Sequence, residues 1–204
     1  DKSSRKLFVE FKEDNDDAQT LANLKKMFSK NDILRMNALH ADNGSEFEGD
    51  FLDFLLTNHI HRSRSTPDTP QENALVERQV GELKRGVRAF LLEAQHPIGA
   101  WVWAAKVWVD HRNAELKNAD KLGCNRKHKI HYGQRVFGKV KSPDDTFEPT
   151  GKSLIFIGYS DYGIIGIDEH LLWSEHRISI ERFSTYRMPT KTVFPGFPPV
   201  FLKN

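Results

Sequence analysis

Two short stretches decide the fold that we predict: residues 40–47 read HADNGSEF, and residues 69–78 read TPQENALVER. The segment Leu34–Ala41 predicts a strand that leads into the first stretch and stops at the turn residue Asn43. Asp42 therefore falls at the carboxyl end of a strand, which is where open α/β sheets present ligands.

The second stretch opens a long predicted helix, from about Gln71 to Gln95, after a proline-rich break. Glu77, Gly81, Lys84 and Arg88 recur at intervals of four, three and four residues, so they share one helix face. This face places a carboxylate in line with two cations, which suits a metal ion beside a phosphate backbone. An ordinary solvated face of a helix has the same composition, so the pattern alone leaves both interpretations open. The opposite, apolar face consists of Val76, Val80, Leu83, Val87, Phe90 and Leu91.

Asp42 and Glu77 are the candidate metal ligands, because hard divalent cations such as Mg²⁺ or Mn²⁺ take oxygen donors. A pair of such ions about 3.5–4 Å apart can activate an attacking oxygen and stabilise a leaving one in phosphoryl transfer. One aspartate and one glutamate separated by 34 residues are weak evidence for such a site by themselves.

The remaining pattern up to residue 118 alternates strands and helices and predicts an α/β layer fold. Strands are expected at Lys6–Phe11 and His59–Ser65, and helices at about residues 16–29, around Phe51–Leu55 and at Ile98–Leu116.

A second, all-β module is predicted after a basic stretch. Seven basic residues and no acid lie between Lys121 and Lys141, which indicates either a solvated linker or a strip that contacts phosphates. We therefore divide the chain into a core (1–118), a basic linker (119–150), a small β module (151–187) and a proline-rich tail (188–204). Short strands are expected at Arg135–Val140, Ser153–Tyr159, Ile164–Asp168 and Leu171–Glu181.

Composition excludes several other classes. The 204 residues carry 30 Lys and Arg against 28 Asp and Glu, and 38% of them are hydrophobic, which is typical of a chain that folds around a core. A single cysteine excludes internal disulfides and a cysteine-based zinc cage. No apolar stretch reaches the roughly 20 residues of a membrane helix, so no membrane partner is expected.

The two stretches resemble the second and third acidic blocks of the retroviral-type integrase core in Ty1/copia-like LTR retrotransposons. That family reads roughly D-N-G-G-E-F and then T-P-Q-x-N-G-x-x-E-R, with about 35 residues between the acids. Ala100–Asn113 resembles the tryptophan-bearing helix of the same core, and Gln134–Gly138 with Phe147–Tyr159 resembles its downstream SH3-like module. The likeness covers nearly the whole chain and implies that it is a fragment of a Pol polyprotein.

This resemblance implies an RNase H-like core in which Asp42 and Glu77 are catalytic and bind Mg²⁺ or Mn²⁺. The reaction would be the trimming of DNA 3′ ends and strand transfer into target DNA, by a homo-oligomer in the nucleus that passes through a virus-like particle or the cytoplasm. The residues expected to contact DNA are Gln71 and Asn73 on a loop, Lys84 and Arg88 on the helix, and Arg62, Arg64, Arg126, Lys127 and Lys129.

The sequence departs from the family pattern at three points. The first catalytic aspartate of the family belongs on a strand upstream of Asp1, so we expect the isolated chain to be inactive. Ser45 and Ala74 each replace a family glycine. The alternatives that stay open are a catalytically inactive, integrase-derived module that binds nucleic acid or partners, and another RNase H-like nuclease such as a bacterial transposase.

Overall fold

The computed structural model describes residues 4–12, 16–64, 70–116, 130–139 and 151–198, with the side chains of residues 70–73 outside this description. The chain divides into a first unit, Phe8–Glu82, and a second unit formed by Asp1–Leu7 with Leu83–Asn204. The helices are α1 (Asp17–Met27), α2 (Lys30–Leu34), α3 (Gly49–Thr57), α4 (Pro70–Ala94), α5 (Trp101–Ala114) and α6 (Glu169–Ser174). The strands are β1 (Ala38–Ala41), β2 (His61–Arg64), β3 (Arg135–Lys139), β4 (Gly151–Ser160), β5 (Gly163–Asp168), β6 (Ile180–Phe183) and β7 (Tyr186–Arg187).

The first unit packs α1, α2 and α3 around one apolar core beside a parallel pair of strands, β1 and β2. Phe51 and Leu55 lie one helical turn apart on α3 and are fully buried, so this helix turns one apolar face inward. The buried residues of this core are Leu24, Ile33, Phe51, Leu55 and Ile60.

Helix α2 corrects the strand that we predicted at Leu34–Ala41. Ser29 accepts a hydrogen bond from the backbone N–H of Asp32, and the Asp32 carboxylate accepts one from the backbone N–H of Ser29. This reciprocal capping box starts a helix at Lys30 that includes Leu34, so the strand is confined to Ala38–Ala41.

The strand predicted at Lys6–Phe11 is absent, since the structure assigns no regular element to these residues. The Asn113 side chain accepts a hydrogen bond from the N–H of Leu7 and donates one to its carbonyl oxygen, both at 2.8 Å. A side-chain amide therefore satisfies the backbone groups that a neighbouring strand would otherwise pair.

The second unit contains an antiparallel five-stranded sheet with the order β6-β5-β4-β3-β7. Helix α5 packs against β4, and the ring of His111 on this helix lies 6.3 Å from that of Tyr159. Helix α5 and the sheet therefore lie in the same compact unit.

Strand β3 confirms the strand predicted at Arg135–Val140, and it pairs with β4 although these residues fall within the segment 119–150 that was expected to be a linker. Another segment differs from the expected pattern. The predicted strand Leu171–Glu181 begins instead within α6, because the Asp168 carboxylate accepts a hydrogen bond from the N–H of Leu171 and caps this helix. Only its last two residues, Ile180 and Glu181, belong to a strand, β6.

The tail beyond residue 188 packs on the second unit as far as it is described. The carbonyl oxygen of Val193 accepts a hydrogen bond from the N–H of Arg135 at 2.7 Å. Phe197 is buried, with its ring 4.5 Å from that of His96.

The chain is thus a mixed α/β protein whose larger sheet is antiparallel. None of the described helices is both long enough and apolar enough to cross a membrane.

Candidate active site and nucleic-acid interface

Asp42 follows β1 directly, at the carboxyl end of the parallel pair of strands, as predicted from the sequence. Its side chain is exposed, and one carboxylate oxygen accepts a hydrogen bond from the N–H of Gly44 at 3.2 Å. This contact closes an Asx turn, which reverses the chain and leaves the second carboxylate oxygen at the surface.

A second carboxylate lies beside this turn. The Glu46 carboxylate packs closely against Gly44, where a Cβ atom would displace the end of the Glu46 side chain. The Lys12 ammonium lies 3.6 Å from the other Glu46 oxygen and donates to the Thr20 hydroxyl at 3.1 Å. Glu46 thus lies next to the turn that follows Asp42 and is paired with Lys12.

Glu77 lies on α4, and its side chain is exposed. The helix begins at Pro70, which suits the first position of a helix because that residue needs no N–H donor. Gln71 and Asn73 were expected on a loop, but they lie within the first turns of α4.

The donor chemistry of Asp42 and Glu77 suits a hard cation, since both present exposed carboxylate oxygens. Within the described ranges, however, no group of three or more His, Cys, Asp or Glu side chains is arranged to hold a metal ion. The assignment of Asp42 and Glu77 as metal ligands therefore stays a prediction.

Arg62 and Arg64 converge on one carboxylate, that of Glu48. Both terminal nitrogens of Arg62 donate to the two Glu48 oxygens at 3.2 Å, and Arg64 donates to one of these oxygens at 2.5 Å. The hydrogen bonds from Arg62 hold the pKa of the Glu48 carboxyl below its ordinary value, although partial desolvation opposes this shift. Glu48 was not predicted from the sequence, because nothing in the sequence links it to arginines 14 and 16 residues away.

The two arginines differ in their exposure. The Arg62 side chain is 7% exposed and faces the Glu48 carboxylate, whereas the Arg64 side chain is 48% exposed. Arg64 is therefore accessible to a ligand in this arrangement and Arg62 is not.

The other expected DNA contacts fall into two groups. Lys84 and Arg88 lie on α4 with exposed side chains. Arg126, Lys127 and Lys129 lie outside the described residues, as do the side chains of Gln71 and Asn73.

Comparison with known proteins gives one curated relative. The chain is 25% identical over 174 residues to the retrovirus-related Pol polyprotein from transposon TNT 1-94 of Nicotiana tabacum. The match covers 79% of this chain but only 13% of the length of that polyprotein. No family model matches the chain.

Among solved structures, the chain is similar to one in the cryoEM structure of the simian T-cell lymphotropic virus intasome in complex with the PP2A regulatory subunit B56 gamma. The two share 14% identity and superpose with a TM-score of 0.44, over 90% of this chain and 67% of the other. The match to the tobacco polyprotein confirms the resemblance of this chain to the Pol polyproteins of Ty1/copia-type retrotransposons.

Proposed function

We propose that this chain is part of a retrotransposon-type DNA integrase, and that Asp42 and Glu77 are two of its three metal-binding carboxylates. The observation that supports this most directly is the position of Asp42, exposed at the carboxyl end of a parallel strand and followed by an Asx turn. In open α/β sheets this edge is where ligands bind. The similarity to a retrovirus-related Pol polyprotein supports the same class of function.

In this proposal the core is RNase H-like, the β module is SH3-like, and the substrate is the DNA of the element. The third carboxylate would come from a strand upstream of Asp1. Among the described residues β1 pairs only with β2, so the other edge of β1 suits such a strand. Mg²⁺ or Mn²⁺ bound by these carboxylates would supply Lewis-acid stabilisation of the charge that develops on the phosphate.

Residues of the chain itself would orient the metal-binding carboxylate and the DNA phosphates. The hydrogen bond from the N–H of Gly44 would orient the Asp42 carboxylate by holding one of its oxygens. Lys84 and Arg88 present exposed cations on α4 for phosphate contacts. The proposed assembly is a homo-oligomer on DNA, and the proposed compartment is the nucleus.

The experiment is a strand-transfer assay on a chain extended upstream to include the first acidic strand. We expect Mg²⁺-dependent joining of a labelled DNA end to target DNA, and Glu77→Gln should lower it by on the order of 100-fold or more. Glu82→Gln is the matched control on the same helix, because Glu82 pairs only with exposed Arg78 among the described ion pairs. Equal activity of the Glu77→Gln variant and the extended wild-type chain would refute the proposed role of Glu77.

The second candidate is a catalytically inactive, integrase-derived module that binds nucleic acid. The observation that favours it is that Lys84 and Arg88 expose their cations on α4, because phosphate contacts need no metal ion. It predicts salt-dependent DNA binding by the extended chain without any joining activity.

A further inference from the structure

The charged cluster of Glu48, Arg62 and Arg64 lies beside Asp42 in the first unit. In the parallel pair of strands, Arg64 is the register partner of Ala41, the residue that directly precedes Asp42. Paired strands lie about 4.8 Å apart, so the arginine and the aspartate emerge at the same edge of the sheet.

The cluster carries a surplus of positive charge, because two guanidinium groups share one carboxylate. Arg64 and Glu48 are about half exposed, with 48% and 42% of their side chains accessible. The nearby Glu46 carboxylate is already paired with Lys12, so it offers the arginines little compensation. An anion that reaches the exposed side of Arg64 would therefore meet an incompletely compensated charge.

Arg62 is the buried member of this cluster. Its side chain is more than nine-tenths buried, and its Nε atom has no hydrogen-bond acceptor among the described residues. An ordered water commonly satisfies such a donor, so the accessible cation of the cluster is Arg64. Arg62 is fixed by its fork-like pair with Glu48, and this pair in turn holds the carboxylate beside Arg64.

We infer that Arg64, backed by Arg62, is a binding subsite for a DNA phosphate next to Asp42, and that Glu48 is an internal competitor for this subsite. A carboxylate and a phosphate offer similar oxygen geometry to guanidinium groups, so the two anions compete for the same donors. DNA binding at this edge requires the Glu48 carboxylate to give up Arg64 while it keeps Arg62. The inference rests on the proposed DNA-directed function and names the residues that select the phosphate.

The test measures the affinity of the full 204-residue chain for a short, fluorescently labelled DNA duplex by anisotropy, at several salt concentrations. Glu48→Gln should bind about fourfold more tightly, the factor expected when one unit charge about 5 Å from a phosphate is removed in water. Arg64→Gln should bind more weakly, and the slope of its log affinity against log salt concentration should become smaller by about one, as expected for the loss of one phosphate contact. Glu175→Gln is the matched control, because it removes the same charge from an arginine pair in the second unit.

Arg64→Gln should fold even if Glu48→Gln does not, because it leaves the ion pair between Glu48 and Arg62 intact. A gain of affinity in Glu48→Gln together with a loss in Arg64→Gln, and no change in Glu175→Gln, would support the inference. Equal gains in Glu48→Gln and Glu175→Gln would overturn it, since the effect would then be one of net charge. Tighter binding of single-stranded RNA than of duplex DNA by Glu48→Gln would overturn the assignment to DNA. The assay measures binding only, so these outcomes do not depend on whether Asp42 and Glu77 catalyse strand transfer.

Discussion

His96 makes the second unit sensitive to acid, and this sensitivity can be worked out from its surroundings. The Tyr132 hydroxyl donates to the carbonyl oxygen of Ala100, so its oxygen accepts a hydrogen bond from the Nδ1–H of His96 at 3.0 Å. The other ring nitrogen, Nε2, is buried and has no hydrogen-bond partner among the described residues. Its protonation would place a charge in an apolar site, where it lies near Gly133 and Phe197.

Burial accordingly lowers the pKa of His96 from 6.5 to about 4. The unfolded chain binds a proton at this histidine near pH 6.5, whereas the folded chain binds it only near pH 4. The stabilising contribution is therefore complete above pH 6.5 and is lost as the pH falls from there towards 4. At about pH 5 the loss amounts to about 2 kcal/mol of unfolding free energy.

The assay is urea unfolding at neutral pH and at about pH 5, followed by tryptophan fluorescence. All four tryptophans (101, 103, 108 and 173) belong to the second unit, so the signal reports the unit that contains His96. His96→Phe removes the titrating group and should lose about 2 kcal/mol less stability on acidification than the wild type. His131→Phe is the matched control, because His131 is exposed in the same unit.

An equal loss of stability in the wild type and in His96→Phe would refute this reasoning. It would mean that carboxylates elsewhere account for the acid sensitivity. A similar change in His131→Phe would show that the effect does not require burial.

Two further predictions concern packing within the second unit. Gly86→Ala should destabilise the unit by about 1–3 kcal/mol in urea unfolding, because a Cβ atom there would lie 1.9 Å from Nε1 of Trp108. Gly99→Ala is the control, because no atom lies within 4 Å of the added carbon, and it should change the stability by less than about 1 kcal/mol. Equal effects of the two substitutions would contradict the packing of α4 on α5. Asn113→Ala should cost about 1–3 kcal/mol and abolish the slow hydrogen exchange of the Leu7 amide, since both backbone groups of Leu7 lose their partner. Retained protection of that amide would contradict the prediction.

The long amphipathic helices could be predicted because their periodicity is a local property of the sequence. Helix α4 begins and ends within one residue of the predicted Gln71 and Gln95, and α1 lies inside the predicted residues 16–29. The predictions were wrong where a single side chain decided the backbone, as Asp168 did at α6 and Asn113 at Lys6–Phe11.

The position of Asp42 at a strand end could be predicted for the same reason, because the strand and the turn are adjacent in sequence. The partner of Arg62 and Arg64 could not be predicted, since Glu48 reaches them only through the fold of the first unit. The contact between Gly86 and Trp108 likewise depends on how two helices pack. The proposed metal binding and DNA binding rest on the resemblance together with the position of Asp42 and the contacts of Arg62 and Arg64 with Glu48.

The proposal that Asp42 and Glu77 belong to one metal site is tested most directly by locating the bound metal in the chain that includes the upstream acidic strand. Replacement of Mg²⁺ by Fe²⁺ in the presence of ascorbate cuts the backbone close to the metal ion. We predict cuts near Asp42 and near Glu77, which excess Mg²⁺ and the Glu77→Gln substitution should both suppress. Cuts near only one of these residues, or near neither, would contradict the claim that the two carboxylates belong to one metal-dependent active site.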